Sequence, residues 1–434
     1  MERKIFEKMK EWKNSEDRKP LVMEGARQVG KTWLLKEFGK REYVNVAYVN
    51  CDYNEQVKNL FSDFDVTRII RGLSAITNEP INPGTTLIIL DEVQEVPQAI
   101  TSLKYFCENA PDYHIAVAGS LLGLKIHSGT GFPVGKINKL SLYPLSFMEF
   151  LTAMGKNILA DTIKTHSWEE MNAFSSQLIE LLRQYYFTGG MPEVVKTYVQ
   201  TQDLKKVREK QKEILGDYEL DFSKHAPKKD IPKIKLVWNS IPGQLAKENK
   251  KFIYGLIKTG GRAKEFEDAI QWLIDAGLVH KVNRVKKIEM PLKFYEDFSG
   301  FKLFVNDLGL LGAMVDAPAA DILVGNNVFS NFKGSFTEQY VAQQFFSVTE
   351  KSLFYYSNEN STMEIDFVLQ SDKVCPVEVK AETNLKAKSL STVLKANKNL
   401  FGIRFSMADF KEQEQMVNVP LPLVEEYLSE KLED

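Results

Sequence analysis

Gly25-Ala26-Arg27-Gln28-Val29-Gly30-Lys31-Thr32, followed by Trp33, is the run in this sequence best suited to phosphate chemistry. It fits G-x-x-x-x-G-K-[ST] at every fixed position, after an apolar run (21–24) and before a helix-like WLLKEF (33–38). The glycines let the backbone turn closely enough for successive N–H groups to cradle phosphate oxygens. Lys31 would reach the β- and γ-phosphates, the Thr32 hydroxyl would ligate Mg²⁺, and the helix start adds its positive dipole end. Further on, the apolar run 86–90 ends in Asp91-Glu92. Carboxylates at the carboxyl end of a buried parallel strand sit where ligands bind in open α/β sheets. Asp91 suits the Mg²⁺ shell, and Glu92 can act as general base toward water.

A second set of reactive residues lies near the other end. In MEIDFVLQ (363–370), Ile365 and Phe367 share one strand face and Glu364 and Asp366 the other. In PVEVKAE, Val377 and Val379 oppose Glu378 and Lys380. Asp366-x11-Glu378-x-Lys380 fits the D…E-x-K pattern of the PD-(D/E)xK nucleases, and Glu338 on the preceding amphipathic stretch resembles the extra acid of those folds. Two like charges ~4 Å apart repel by about 4 kcal/mol at an effective dielectric of 20, so converging carboxylates need a metal, a lysine or raised pKa values. As a nuclease site, Asp366, Glu378 and Glu338 would bind Mg²⁺, assisted by Lys380. The same alternation equally suits a half-exposed strand with a solvated charged face.

These residues need elements to hold them. Up to residue 145, short β-rich runs (21–24, 43–50, 86–90, 114–119, 136–145) alternate with helix-length segments, which predicts a parallel sheet with helices on both faces. Ile115–Ala118 is followed by Gly119-Ser120, where Ser120 reads as a helix N-cap. With one strand between the loop strand and Asp91-Glu92, this core resembles the AAA+ and related ATPases that use a catalytic Glu; in that resemblance Ser120 takes the polar sensor position near the γ-phosphate. Residues 146–228 read as helical, broken by a helix-ending turn at Gly189-Gly190-Met191-Pro192. Between Asp203 and Glu265 there are 16 Lys or Arg against 9 Asp or Glu. Within that stretch, 250–258 and 264–277 read as two helices around a TGGR turn, the second with Phe266, Ala269, Ile270 and Leu273 on one face and Gly277 ending it. The following run, LVHKVNRVKKIEM, alternates like a strand. Helix, turn, helix and ribbon is the order of a winged helix-turn-helix. Lys250, Lys251, Arg262 and Lys264 are its candidate phosphate contacts, although such modules also dock proteins or act as lids. The final 29 residues carry eight acids against two lysines and read as a solvated acidic end.

GARQVGKTWLL, LIILDEVQEVP, AVAGSLLGL, YPLSFMEFL and YFTGGMPEVV, in that order, resemble the prokaryotic AAA-type ATPases of the AAA_14 group, which carry a C-terminal region called DUF4143. The resemblance spans essentially the whole chain. It implies an α/β P-loop ATPase core (1–150), a helical lid (151–228), a winged helix (229–300) and a restriction-endonuclease-like α/β domain (301–434). It implies ATP as the nucleotide. Such proteins often carry Gly-Arg before the strand leading to PLSF; here it is Gly135-Lys136, so Lys136 is the cation available there.

Composition bounds the rest. With 434 residues, 44% of them hydrophobic, the chain can build several cores. Its 56 basic and 58 acidic residues leave a net charge of −2, which names no partner. Three scattered cysteines give no disulfide framework or cysteine-based zinc module, and the five histidines have no ligand spacing. No apolar run spans a bilayer and no signal-peptide core opens the chain, so a soluble, cytoplasmic protein is expected. Duplex DNA, a protein partner and self-association are the partner classes left open beside ATP.

Overall fold

The computed structural model describes residues 1–52, 54–119, 133–247, 249–324, 330–360, 362–383 and 388–432. They form two compact units, one of Glu2–Tyr143 with the short turn Asp275–Leu278, the other of Pro144–Ile274 and Val279–Asp434.

In the first unit five parallel strands, β1 (Leu21–Glu24), β2 (Asn45–Asn50), β3 (Thr86–Asp91), β4 (His114–Ala118) and β5 (Asn138–Ser141), lie in the order β2-β3-β4-β1-β5. One strand, β4, therefore separates the loop strand β1 from the strand that ends in Asp91. Every residue of β3 and β4 is buried, as a central parallel strand covered on both faces requires. The helix Lys31–Glu42 starts directly from the glycine-rich turn and buries Leu34, Leu35 and Phe38.

The second unit opens on the helix Phe147–Ala153, whose start is a capping box: Ser146 accepts from the Glu149 backbone N–H and Glu149 accepts from Ser146. The turn after the helix Ser175–Thr188 is more than a helix stop. Gly189 (φ +70°) and Gly190 pass so close to their neighbours that a Cβ would lie 2.2 Å from Asp307 Oδ1 and 2.0 Å from Leu145 O, respectively. Asp307 accepts from the Gly190 N–H at 2.6 Å and the Leu310 N–H at 2.9 Å, which ties this turn to the start of the helix Leu308–Met314.

An eight-stranded mixed sheet follows: β6 (Val279–Val285), β7 (Glu296–Val305), β8 (Phe354–Ser357), β9 (Glu364–Gln370), β10 (Val374–Val379), β11 (Gly402–Ser406), β12 (Lys411–Glu412) and β13 (Met416–Pro420), in the order β12-β13-β11-β10-β9-β8-β6-β7. The helix Ala263–Asp275 buries Phe266, Ala269, Ile270 and Leu273 as its spacing predicted, each side chain worth roughly 1.5–3 kcal/mol where large and apolar. Gly277 follows it at φ +72°.

Three expectations are corrected. The ribbon β6–β7 does not stand alone as a wing, because β6 pairs in parallel with β8 and so extends the C-terminal sheet. The 300/301 boundary accordingly falls inside β7. Residues 250–258 hold only a 3₁₀ turn at Tyr254–Leu256; the Phe252 N–H bonds to Phe301 O and the Ile253 N–H to Gln244 Oε1, so tertiary acceptors take the donors a helix would use. The acidic C-terminal stretch is solvated only in part: Asp409, Glu412 and Glu414 are exposed, but two acids are not. The helix Val424–Leu432 buries Glu425 and Glu426, and Glu425 accepts from the Met148 N–H at 2.8 Å.

Candidate functional site

The glycine-rich turn is left-handed at several points, with Gly25 at φ +143°, Gln28 at +66° and Gly30 at +97°. At Gly25 even a methyl is excluded, since a Cβ would stand 2.2 Å from Leu142 O. Gly30 caps the helix that begins at Lys31, so the helix's unpaired N–H groups open into the turn. Lys31 is 6% exposed and donates to Gly25 O and Ala26 O, both at 2.7 Å, lying back across the turn. Burial lowers its ammonium to about 8, against the pull of Glu92 and Asp91. Trp33, next on the helix, is 45% exposed.

The carboxylate of Asp91, at the end of β3, meets this turn: Thr32 Oγ1 donates to Asp91 Oδ2 at 2.7 Å. The same oxygen accepts from Tyr48 OH at 3.2 Å, and Asp91 Oδ1 accepts from the Glu92 N–H at 3.0 Å. Burial, with Asp91 beside it, pushes the Tyr48 phenol up to about 12, so it stays a donor. Glu92 takes a left-handed backbone (φ +49°), uncommon for a non-glycine residue, and Gln94 Nε2 donates to Glu92 Oε2 at 2.6 Å. The amides at the helix start, a buried ammonium and a hydroxyl–carboxylate pair come together at this turn, a donor set that fits a nucleotide phosphate chain with Mg²⁺. Tyr48 and Gln94 were missed by motif reading. Gln94 lay within reach, two residues beyond Glu92; Tyr48 depends on strand register, which places β2 against β3.

Two further expectations in this unit concern Ser120 and Lys136. Ser120 lies outside the described residues. Lys136 is on the surface, paired with Glu108 at 3.0 Å.

In the second unit the acids do gather, but with lysines among them. Glu338, on the helix Ser330–Val348, pairs with Lys250 through Oε1 and lies 3.5 Å from Lys302 Nζ through Oε2. Lys302 also lies 2.5 Å from Glu364 Oε1, and Lys380 pairs with Glu378 Oε1 at 2.5 Å. Asp366 Oδ2 accepts from the Val379 N–H at 2.7 Å. Burial pulls the Lys302 ammonium down, but Glu338, Glu364 and Asp366 outweigh it and leave it raised. Burial pushes Glu338 up, and Lys250 and Lys302 overcome that to leave it lowered. Asp366 is raised well above the usual range by burial and by Glu338 and Glu378. Among the described residues, no three acid, histidine or cysteine side chains converge as a metal-binding group. Lys302 escaped motif reading although it stands alone in the apolar run GFKLFV, a setting that demands a buried partner.

Of the proposed phosphate contacts around 250–264, Arg262 and Lys264 are exposed and Lys251 is half-buried. Lys250 is withdrawn, its side chain 11% exposed in the pair with Glu338.

The first unit is thus a P-loop nucleoside-triphosphate-binding fold: a parallel sheet with one strand between the loop strand and the acid-tipped strand. The chain carries the AAA domain AAA_14 over residues 17–151 and the domain of unknown function DUF4143 over residues 333–424. Between them, residues 179–321 match DUF8612, also a domain of unknown function. No curated protein matches the chain. Among solved structures it is similar to the Walker-type ATPase PABY2304 of Pyrococcus abyssi, at 14% identity and a TM-score of 0.46, over 71% of this chain and 94% of that one. It is also similar to the Orc1 protein of Aeropyrum pernix, solved in complex with DNA, at 14% identity and a TM-score of 0.29, over 74% and 92%. Cdc6p of Pyrobaculum aerophilum follows at 12% identity and a TM-score of 0.23, over 70% and 88%. Likeness at that level carries no argument. Among the described residues no helix is long and apolar enough to cross a membrane.

Proposed function

We propose that the P-loop unit binds ATP with Mg²⁺ and hydrolyses it, in the cytoplasm, and that its nucleotide state drives the C-terminal region. The observation that carries this reading is the meeting of Thr32 Oγ1 with Asp91 Oδ2 at 2.7 Å beside the buried Lys31. When bound, Mg²⁺ would supply Lewis-acid stabilisation of charge on the phosphoryl oxygens, held by Thr32 and Asp91. The backbone amides from Ala26 to Trp33 bind the phosphate chain, and Lys31 exchanges its two carbonyl acceptors for phosphate oxygens. Glu92 orients the attacking water and accepts its proton, with Gln94 fixing one carboxylate oxygen. Tyr48 holds Asp91 in register by sharing its Oδ2 with Thr32.

For the C-terminal region we assign a nuclease-like fold, supported by the strands β8 to β11, with Asp366 on β9, Glu378 on β10 and Lys380 just past the end of β10. In the first reading the region acts on duplex DNA, with exposed Arg262 and Lys264 at the start of the helix Ala263–Asp275 neutralising phosphates. In the second, the chain is a nucleotide-gated switch whose nuclease-like module is inert and holds a protein partner, including a second copy. The withdrawal of Lys250 into its pair with Glu338 favours the second, because it removes one of the four cations meant for the DNA backbone.

Steady-state ATP hydrolysis with Mg²⁺, with and without linear duplex DNA, tests both readings against Lys31→Ala. Turnover above that control supports the ATPase; none above it sinks it. Stimulation by DNA selects the first reading for the C-terminal region, and indifference to DNA the second.

A further inference from the structure

The densest buried charge outside the nucleotide pocket is the cluster of Glu338, Glu364, Asp366 and Glu378 with Lys250, Lys302 and Lys380. A D…E-x-K fold implies a divalent cation among such carboxylates, and the residues here do not fit one. Lys302 is 0% exposed, on β7, and its Nζ stands between the carboxylates of Glu338 on the long helix and Glu364 on β9, at 3.5 and 2.5 Å. It meets both as close ion pairs. Lys250 takes the other oxygen of Glu338, and Lys380 takes Glu378. Four carboxylates therefore face three ammonium groups, leaving at most one negative charge where the same acids without lysines would hold up to four. A divalent ion entering this arrangement would meet lysine charge at about 4 Å, a repulsion larger than that between two single charges at the same separation.

We propose that Lys302, seconded by Lys250, occupies the cation's place as a built-in counterion, so that this cluster binds no divalent metal and serves to tie β7, β9 and the helix Ser330–Val348 together. Glu338 Oε2 and Glu378 Oε2 are buried with no hydrogen-bond donor. Those oxygens, with Asp366, become a divalent-cation site once the Lys302 charge is removed. The inference deepens the switch reading, whose own test is ATP turnover with DNA; the measurement here is made without nucleotide, so the two fail separately.

The test is Mn²⁺ binding to the full-length chain, counted by electron paramagnetic resonance, for the wild type, Asp366→Asn, Lys302→Met and the double variant. The wild type and Asp366→Asn are expected to bind the same number of ions. Lys302→Met is expected to bind one more, and the double variant to lose it. Loss of one equivalent from the wild type on Asp366→Asn overturns the proposal. So does a Lys302→Met chain with wild-type circular dichroism and no additional ion. Where Lys302→Met fails to fold, the wild type and Asp366→Asn decide it alone: equal counts uphold the built-in counterion.

Discussion

The nucleotide pocket and the C-terminal carboxylate cluster both concentrate charge below the surface, by opposite means. In the first, eight consecutive residues turn their backbone into a receptor, and the one buried ammonium, Lys31, is satisfied by carbonyls it can release. Neutral acceptors hold a cation loosely enough for an incoming anion to displace them. In the second, the ammonium groups are satisfied by carboxylates from three separate elements, and full charges buried opposite full charges do not let go cheaply. Pockets built for exchange leave a charge on neutral partners; clusters built for cohesion pair it.

That contrast can be broken by mutation. The largest effect is expected in the pocket: Glu92→Gln should lower ATP turnover by about 10²–10⁴-fold while nucleotide binding persists, because only proton transfer is removed. Asp366→Ala should leave turnover unchanged, and a parallel fall in both variants, measured by phosphate release, would erase the distinction between the regions. Next comes cohesion. Lys302→Ala leaves Glu338 and Glu364 facing each other without their shared cation and should cost about 3–5 kcal/mol in urea unfolding. A loss below 1 kcal/mol would mean that the cluster is already hydrated.

A buried carboxylate with no lysine sharpens the comparison. Asp307 is raised to about 6 by burial, against the backbone donors Gly190 and Leu310 that pull it down. The folded chain thus keeps a proton that the unfolded chain releases above pH ~4. The stability from this group is full below about pH 4 and is lost as pH rises to about 6. Asp307→Asn should flatten that window and cost about 1–3 kcal/mol at pH 4, where no buried charge is relieved, since the amide nitrogen cannot accept from one of the Gly190 and Leu310 N–H groups. Thermal melts of both chains between pH 4 and 7 check it. The smallest effect belongs to Tyr48→Phe: losing one shared bond to Asp91 should weaken Mg²⁺-ATP binding by about 0.5–1.5 kcal/mol, read by titration calorimetry, without changing the melting temperature of the nucleotide-free chain by more than a few degrees.

Legibility followed the same division. The pocket's main residues could be read because they are neighbours in sequence or close a strand of unmistakable pattern: β3 is apolar at every position up to Asp91. The strands carrying Asp366 and Glu378 were legible from alternation, and so was the buried face of the helix Ala263–Asp275. What alternation could not reveal was the company those residues keep. Lys250 counted toward a basic surface and instead turned inward, and Glu425 and Glu426 counted as solvated and instead packed in a buried helix. Charge in a sequence is read by composition, whereas its burial depends on partners far along the chain.

From the sequence alone came the glycine-rich turn, its acid-tipped strand and the parallel core, because each rests on local backbone geometry and on periodicity. Only the tertiary structure decided that β6 and β7 extend the C-terminal sheet, that Asp307 pins Gly189-Gly190, and that Lys302 stands among the acids. Those outcomes depend on strand pairing and on which distant groups satisfy a buried charge, and neither is written in the spacing of neighbouring residues.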